Sequence, residues 1–308
     1  QVRWSTEILT PLWRAAIAEC IAASVMHLDG TGLPVLDKGA PGGKRLGSLW
    51  GYVGAGAGGD EVAAYVFTST AKAIAQKPGE MGPEDILSMR EGYTVADAGS
   101  QFNASFARNP KLIECGCNMH ARRYFTKTLD AGDTRAALPL AAYKRLAEIE
   151  DEIKGRSPAD KLAVRVEQRE PVFDELVRWT DIHRPFEAPS SKLGEALRYL
   201  HNHQVALVRF LESGLVPIDN GPVERLHVRA ALTRKNFLFA GSDAGGDRAA
   251  IAFTILGCCR IAGVNPIEYL TDVFPILAGR VRLIDLPDLL PARWKARRDA
   301  ATAAARPA

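Results

Sequence analysis

The order of the hydrophobic patterns along the chain limits the folds that it can adopt. Residues 4–23 carry apolar side chains at helical spacing, which predicts a leading helix. Three strand-like runs follow, separated by links rich in Gly and Pro: SVMHLDG, RLGSLWGYVG and EVAAYVFTS. We therefore predict that an antiparallel meander of three strands follows the leading helix.

The pattern changes after this meander. GPEDILSMR predicts a short helix, and YTVADAG predicts a buried strand that ends at Asp97. SQFNASFAR, KLIECGC and NMHARRYFTKTLD then predict a helix, a strand and a helix. Strands and helices that alternate at this spacing are what parallel crossovers require. Three antiparallel strands followed by such alternation is the order of ribonuclease-H-like domains, so we predict an α/β fold with a ribonuclease-H-like mixed sheet flanked by helices.

A long stretch without strand patterns interrupts this order. From about Thr134 to Ser213, apolar residues recur at steps of three and four, which predicts an all-α insertion. The tail is rich in Pro, Ala and Arg, and we expect its end to fray. The predicted organisation is a leading helix (1–23), the first part of the core (24–132), the helical insertion (133–214), the second part of the core (215–265) and a C-terminal extension and tail (266–308).

Composition excludes several classes of protein. An apolar fraction of 47%, a charged fraction of 24% and a net charge of +3 are ordinary for a globular chain, with a slight tilt toward polyanionic partners. The five cysteines have no disulfide spacing, which favours a reducing cytoplasm, and adjacent Cys258 and Cys259 are predicted to be buried. The most apolar window, 249–264, is too short to span a bilayer, so we expect no membrane association.

Three carboxylates stand where elements end or begin. Asp29 closes the first apolar strand, Asp97 closes the first strand after the change of pattern, and Glu224 lies in the first turn of a helix after the insertion. Carboxylates that meet at one sheet edge can clamp two Mg²⁺ ions for phosphodiester cleavage. The same residues also have ordinary interpretations as a turn residue, a helix N-cap and a first-turn acid that complements the helix dipole. Spacing alone leaves both interpretations open.

Four blocks of sequence bear on this choice: HLDGTGLPVL, VADAGSQFNASF, CNMHARRYF and IDNGPVERLHVRAALTRKNFLFAGSDAGGDRAA. They resemble the successive blocks of the IS66-family insertion-sequence transposases, and LLPARW resembles the end of that family. The resemblance covers about residues 24–294.

This resemblance implies a function and partners. It implies that Asp29, Asp97 and Glu224 form a DDE triad that binds two Mg²⁺ (or Mn²⁺) ions and catalyses DNA strand cleavage and strand transfer during transposition. The implied partners are element-end DNA, target DNA, further copies of the chain on DNA and accessory proteins of the same element. The implied location is the bacterial cytoplasm, at the nucleoid when the protein is bound to DNA.

The chain departs from the family pattern at two points. The family has an acid directly after the first Asp, where this chain has Gly30, and this leaves full activity open. The family's amino-terminal helix-turn-helix and zinc-binding segments have no counterpart, so we expect weak recognition of element ends. Two alternatives therefore stay open. One is a catalytically inactive DNA-binding or assembly protein derived from a transposase. The other is a different ribonuclease-H-like nuclease, against which the long insertion argues.

A C-x-x-H step lies after the second strand of the alternating region. Cys117 and His120 form the step, and Cys115 precedes it. A zinc site would need four ligands, and no second pair completes the set, so we do not expect one. The resemblance implies that Cys117 and His120 support the active site, with His120 orienting DNA or the third acid. The ordinary alternative is a histidine buried in the core.

Basic residues follow the C-x-x-H step and the third acid. Phosphate contacts dominate affinity for DNA, although exposed basic residues are also common on solvated helix faces. The candidates for phosphate contacts are Arg122, Arg123, Arg229, Arg234 and Lys235.

The segment after these residues has two further features. Phe237 and Phe239 are predicted to lie in the core rather than to stack on bases. The glycine-rich turn at 241–246 precedes a helix and could bind an anion, but a plain tight turn is favoured.

Overall fold

The computed structural model describes residues 2–55, 60–75, 81–97 and 100–304 of the chain. The strands are β1 (Val25–Gly32), β2 (Val35–Leu36), β3 (Lys44–Arg45), β4 (Gly47–Ala55), β5 (Glu61–Ser69), β6 (Gly92–Ala96) and β7 (Leu112–Gly116). The helices are α1 (Val2–Ala22), α2 (Thr70–Ala75), α3 (Pro83–Met89), α4 (Asn103–Arg108), α5 (Asn118–Asp130), α6 (Ala137–Glu152), α7 (Pro158–Val164), α8 (Glu170–His183), α9 (Lys192–Val208), α10 (Gly221–Phe237), α11 (Asp243–Ile261), α12 (Pro266–Ala278) and α13 (Pro291–Ala304).

These elements form two compact units. The first unit combines Gln1–Gly92, Ala104–Leu112 and Gly221–Ala308. The second combines Tyr93–Asn103 and Ile113–Asn220. A five-stranded mixed sheet has the strand order β5-β4-β1-β6-β7. The first residues of β6 and β7 belong to the first unit, and the remaining residues of both strands belong to the second. The predicted α/β class with a mixed sheet flanked by helices is confirmed.

The first unit contains the predicted antiparallel meander. β1 pairs with β4, and β4 pairs with β5, both antiparallel. Residues Val62 to Phe67 of β5 are all buried, because α1 and α11 both pack against this strand. Two polar contacts fasten these helices to β5: the Trp13 indole donates to the Tyr65 carbonyl (2.7 Å), and the Tyr65 N–H donates to the Thr254 hydroxyl (2.8 Å). The core of this unit therefore lies between its sheet and the two long helices.

Two local predictions in this unit are wrong. β1 does not end at Asp29 but continues to Gly32, because Thr31 and Gly32 still pair with β4. Asp29 is thus a residue within a strand. The predicted link PVLDKGAPGGK contains a small antiparallel ribbon, β2 with β3. The backbone of Ala240 adds to this ribbon, since it accepts from Leu36 and donates to Pro34 (2.8 Å each).

The second unit is rich in helices. The stretch 134–213, all of which the structure describes, contains helices α6 to α9 and no strand, as predicted. Two arginines, Arg165 and Arg169, are almost completely buried in it and both contact the Glu150 carboxylate. Arg165 also donates to three carbonyls beyond the end of α9, of Phe210, Ser213 and Val216 (2.8–2.9 Å). The carbonyls at this helix end therefore have a charged hydrogen-bond donor within the core.

The C-terminal part differs in detail from the prediction. α11 begins at Asp243, inside the predicted turn at 241–246, and the Ser242 side chain caps it by accepting from the Gly245 N–H. Cys258 and Cys259 are buried, as predicted. The tail forms α13, whose Trp294 packs edge-on against Tyr269. The last tail residues, 305–308, and residues 56–59 of the GAGAGGD link lie outside the described residues.

Candidate active site and nucleic-acid interface

Asp29 lies on β1, with its side chain 30% exposed. One carboxylate oxygen, Oδ1, accepts the N–H of Gly30 at 2.8 Å. The other, Oδ2, lies 3.7 Å from Nε2 of His227. This carboxylate is oriented by its own strand and a histidine of α10, and it stays accessible to solvent.

His227 is a site residue that the sequence reasoning missed. It is buried on α10, where its Nε2 lies 3.2 Å from the Asp29 carbonyl oxygen and its Nδ1 lies 3.2 Å from the Tyr65 hydroxyl. A carbonyl only accepts, so Nε2 carries the proton, and in the neutral ring Nδ1 accepts from the Tyr65 hydroxyl. Burial lowers the pKa of His227, although the charge of Asp29 acts against this. A chain of hydrogen bonds therefore runs from β5 through His227 to β1.

Glu224 and His227 share one face of α10. They are three positions apart, a spacing that puts two side chains on the same side of a helix. Glu224 is half-buried in the first turn of α10, and its charge, like that of Asp29, raises the pKa of His227. The E-x-x-H spacing was the signal in the sequence that could have identified His227. Within the first unit, the two predicted acids Asp29 and Glu224 thus have His227 as a common neighbour.

Two glycines create the space for this arrangement. Gly51 lies opposite Asp29 in the β1–β4 register, and a Cβ there would lie 2.8 Å from Cε1 of His227. Gly30 lies opposite Trp50, and its Cβ would lie 2.6 Å from the indole. The indole is held in place because its N–H donates to the Thr68 hydroxyl at 2.8 Å. The position where an acid was expected is therefore covered by an aromatic ring.

Asp97 belongs to the second unit and follows β6 directly, as predicted. Its side chain is 41% exposed. Oδ1 accepts from the Tyr199 hydroxyl at 2.9 Å, and Oδ2 lies 3.8 Å from Nε2 of His120. Burial and the charge of Asp97 raise the pKa of Tyr199, so the phenol stays protonated and acts as the donor. Tyr199 lies on α9 and stacks on Tyr124 of α5 (4.6 Å between centroids). No motif in the sequence marked it.

The C-x-x-H step begins α5 in the same unit. Burial raises the pKa of Cys115 to about 12 and that of Cys117 to about 11, so both thiols are protonated at neutral pH. The Cys117 sulfur accepts the Asn220 N–H at 3.3 Å. Within this unit His120 lies beside the second acid, Asp97, and its expected role in orienting DNA or the third acid stays a prediction.

The basic candidates lie on two helices. Arg122 and Arg123 are exposed on α5, and Arg229 and Lys235 are exposed on α10. Arg234 is half-buried, and its Nη1 donates to the Thr31 hydroxyl (3.2 Å) and to the Gly32 carbonyl. Arg234 therefore ties α10 to the end of β1.

The prediction that Phe237 and Phe239 lie in the core is wrong. Each is 38% exposed, and Leu238 between them is 65% exposed. α10 ends at Phe237 and Leu238 takes a left-handed backbone conformation (φ 57°), so the chain turns before these side chains reach the interior. Ala240 is the first buried residue after the turn.

Comparison with known proteins gives the family. The sequence profile described as "Transposase IS66 family" matches residues 2–248. The chain belongs to the IS66 transposase family. The chain is 31% identical to "Uncharacterized protein y4hP" of Sinorhizobium fredii, in an alignment that covers 98% of the chain and 56% of that protein. It is 28% identical to "Uncharacterized protein y4jD" of the same organism, over 95% of the chain and 58% of that protein.

The IS66 match includes every acid of the predicted triad and also His227. It ends within α11, so α12 and α13 lie beyond it. The chain spans about half the length of these curated relatives. No solved structure matches it. Among the described residues of this IS66 chain, every helix is too short or too polar to cross a bilayer.

Proposed function

We propose that this chain is the catalytic core of a DDE transposase with a ribonuclease-H-like fold. It cleaves DNA strands at the ends of an insertion sequence and joins them to target DNA. The observation that carries the proposal is the position of Asp29, in a strand beside the helix that has Glu224 in its first turn, within a chain of the IS66 family. The hydrogen-bonded His227 connects this strand to that helix.

The donor atoms of the triad suit divalent magnesium. Asp29, Asp97 and Glu224 offer partly exposed carboxylate oxygens, the hard ligands that Mg²⁺ prefers. When bound, two such ions activate the attacking oxygen and stabilise the leaving oxygen. The protein orients the ligands: the Gly30 N–H holds one oxygen of Asp29, and Tyr199 holds one oxygen of Asp97.

The reaction has two phosphoryl transfers. Water attacks the phosphorus at the element end, the bond to the 3′ oxygen breaks, and that oxygen takes a proton to become a free 3′-hydroxyl. This hydroxyl then loses its proton and attacks a target phosphodiester, so one bond forms and a target 3′-hydroxyl is released. The residues that contact phosphates are the exposed Arg122, Arg123, Arg229 and Lys235. Arg234 holds α10 against the end of β1 and so stabilises the position of this helix. Joining two ends requires at least two copies of the chain on the DNA, and accessory proteins of the same element are further partners.

A strand-transfer assay tests this proposal. Duplexes from the element ends are incubated with target plasmid, the full chain and Mg²⁺ or Mn²⁺. Strand transfer is expected for the unaltered chain and is expected to disappear in Asp97→Asn. The matched control is Asp174→Asn on α8, an exposed acid of the same unit, which should keep full activity. Cleavage of RNA–DNA hybrids or junctions but not of linear duplex would favour the other nuclease. No metal-dependent cleavage of any substrate would favour the inactive DNA-binding protein.

A further inference from the structure

Three consecutive large apolar residues are exposed where α10 ends. Phe237, Leu238 and Phe239, which we term the apolar tip, precede the buried Ala240. Single exposed apolar residues are normal on protein surfaces, but a contiguous patch commonly marks a binding site. The apolar tip is therefore a candidate surface for binding another molecule.

The apolar tip stands on a well-anchored base. On one side, the Leu238 N–H donates to the Arg234 carbonyl of α10 at 2.8 Å. On the other, two backbone hydrogen bonds, to Pro34 and from Leu36, form a parallel bridge between Ala240 and Val35 of β2. Between these anchors Leu238 holds a left-handed conformation, which costs a non-glycine residue free energy and persists only where surrounding contacts offset that cost. The tip is thus held in place rather than being a loose loop.

The helix that leads to the tip indicates the charge of the partner. After Glu224, α10 carries basic residues and no acid. Its exposed residues before the tip are three basic, two apolar and one neutral polar: Arg225, Arg229 and Lys235, Val228 and Leu232, and Asn236. A second copy of this face would bring like charges together, which argues against self-association here. A polyanion with apolar surfaces fits instead, because phosphates pair with the basic residues while bases stack on the aromatic ones.

The length of α10 gives the distance between the apolar tip and the proposed cleavage site. Phe237 follows Glu224 by thirteen positions, which at the helical rise corresponds to about 20 Å. Along a DNA strand this is about six nucleotides. We propose that the apolar tip stacks on bases of the bound DNA about six nucleotides from the cleaved phosphate, while Arg229 and Lys235 contact the phosphates between. This inference rests on the proposed function, because it takes Glu224 as the mark of the cleavage site.

Fluorescence of 2-aminopurine tests the stacking. Element-end duplexes carry the probe at successive positions and are bound by the full chain with Ca²⁺ in place of Mg²⁺, so that the DNA stays intact. We expect a fluorescence change centred about six nucleotides from the cleavage position. A triple variant, Phe237→Ser, Leu238→Ser and Phe239→Ser, should remove this change and weaken binding, since stacking on a side chain offsets the free energy that a base loses when it leaves the duplex stack.

Two controls separate stacking from charge and from folding. Phe186→Ser removes an exposed phenylalanine of the second unit and should leave the signal unchanged. Lys235→Gln removes one phosphate contact, so the slope of the logarithm of the binding constant against the logarithm of the salt concentration should fall by about one. The fluorescence change should remain. Equal thermal melting of the variants establishes that the fold is intact.

The outcomes distinguish this inference from the proposed function. An unaltered chain that changes the fluorescence at no position, or a triple variant that binds DNA and alters the probe like the unaltered chain, overturns the inference. Loss of binding to a protein partner but not to DNA also overturns it. Stacking that persists in a chain unable to cleave any DNA would overturn the proposed function and leave the DNA contact standing.

Discussion

The indole of Trp50 lies over Gly30, one position after the first acid of the triad. The two residues are paired across β1 and β4, and a Cβ on Gly30 would lie 2.6 Å from the ring. The family resemblance implies an acid at this position, and in this chain the glycine leaves room for the indole. A side chain on Gly30 therefore requires Trp50 or its strand to shift.

We predict that Gly30→Ala destabilises the protein. The added methyl group forces Trp50 or its strand to shift, and such overpacking costs about 1–3 kcal/mol. Thermal or denaturant unfolding measures this. The control is Gly241→Ala, because a Cβ at Gly241 meets nothing within 4 Å, and its change should stay within about 0.5 kcal/mol. Equal stability of both variants would mean that the indole does not cover Gly30.

Removing the Tyr65 hydroxyl tests the hydrogen-bond chain to Asp29. In Tyr65→Phe, Nδ1 of the buried His227 loses its donor, which should cost about 1–3 kcal/mol of folding free energy. Tyr52→Phe is the matched control on the same sheet. The Tyr52 hydroxyl is buried and, among the residues that the structure describes, has no hydrogen-bond partner. Its removal should be neutral or stabilising, and a larger loss in Tyr52→Phe than in Tyr65→Phe would refute the assignment.

Tyr199 is predicted to position Asp97. Tyr199→Phe leaves the stacked ring but removes the donor to Oδ1, so metal-dependent cleavage should fall by about 10- to 100-fold at limiting Mg²⁺. Higher Mg²⁺ should restore much of the loss, a response that mere misfolding would not give. Tyr143→Phe is the control, because this buried phenol of the second unit has no hydrogen-bond partner among the described residues. An unchanged magnesium dependence in Tyr199→Phe would exclude the positioning role.

Glu150 balances two buried arginines of the second unit. Arg165 and Arg169 are 2% and 0% exposed, so Glu150→Ala leaves them without their counter-charge and should cost about 3–5 kcal/mol. Glu148→Ala on the same helix breaks only exposed ion pairs and should cost less than about 1 kcal/mol. Urea unfolding of the two variants provides the comparison, and similar midpoints would contradict it.

The local pattern of residues predicted the elements well where hydrophobic periodicity was strong. The meander and the long helical stretch follow from spacing alone. The end of β1 did not, because Gly30, Thr31 and Gly32 look like a turn in isolation. They stay in the strand because β4 continues to pair with them. Pairing between distant segments overrode local propensity here.

The site residues likewise divide into those that the sequence alone indicates and those that only the fold brings together. Asp29, Asp97 and Glu224 could be predicted as site residues because each occurs in a recognisable block of sequence. Tyr65 and His227 are 162 positions apart, and only the docking of α10 on the sheet brings them together. The composition of Phe237–Phe239 suggested burial, yet the left-handed turn at Leu238 leaves these side chains outside the core. Whether these side chains are buried depends on the path of the backbone after α10, which composition does not reveal.

Asp29, Asp97 and Glu224 are proposed to act together in DNA cleavage. Nicking of supercoiled plasmid by the full chain with Mn²⁺ tests this most directly, with Asp29→Asn, Asp97→Asn and Glu224→Gln compared against Asp174→Asn. We predict nicking that EDTA stops, that each triad variant lowers by at least about 100-fold, and that Asp174→Asn leaves intact, since removal of a ligand removes a metal-assisted step. Any one of the three triad variants that nicks plasmid as fast as the unaltered chain would contradict the proposed triad.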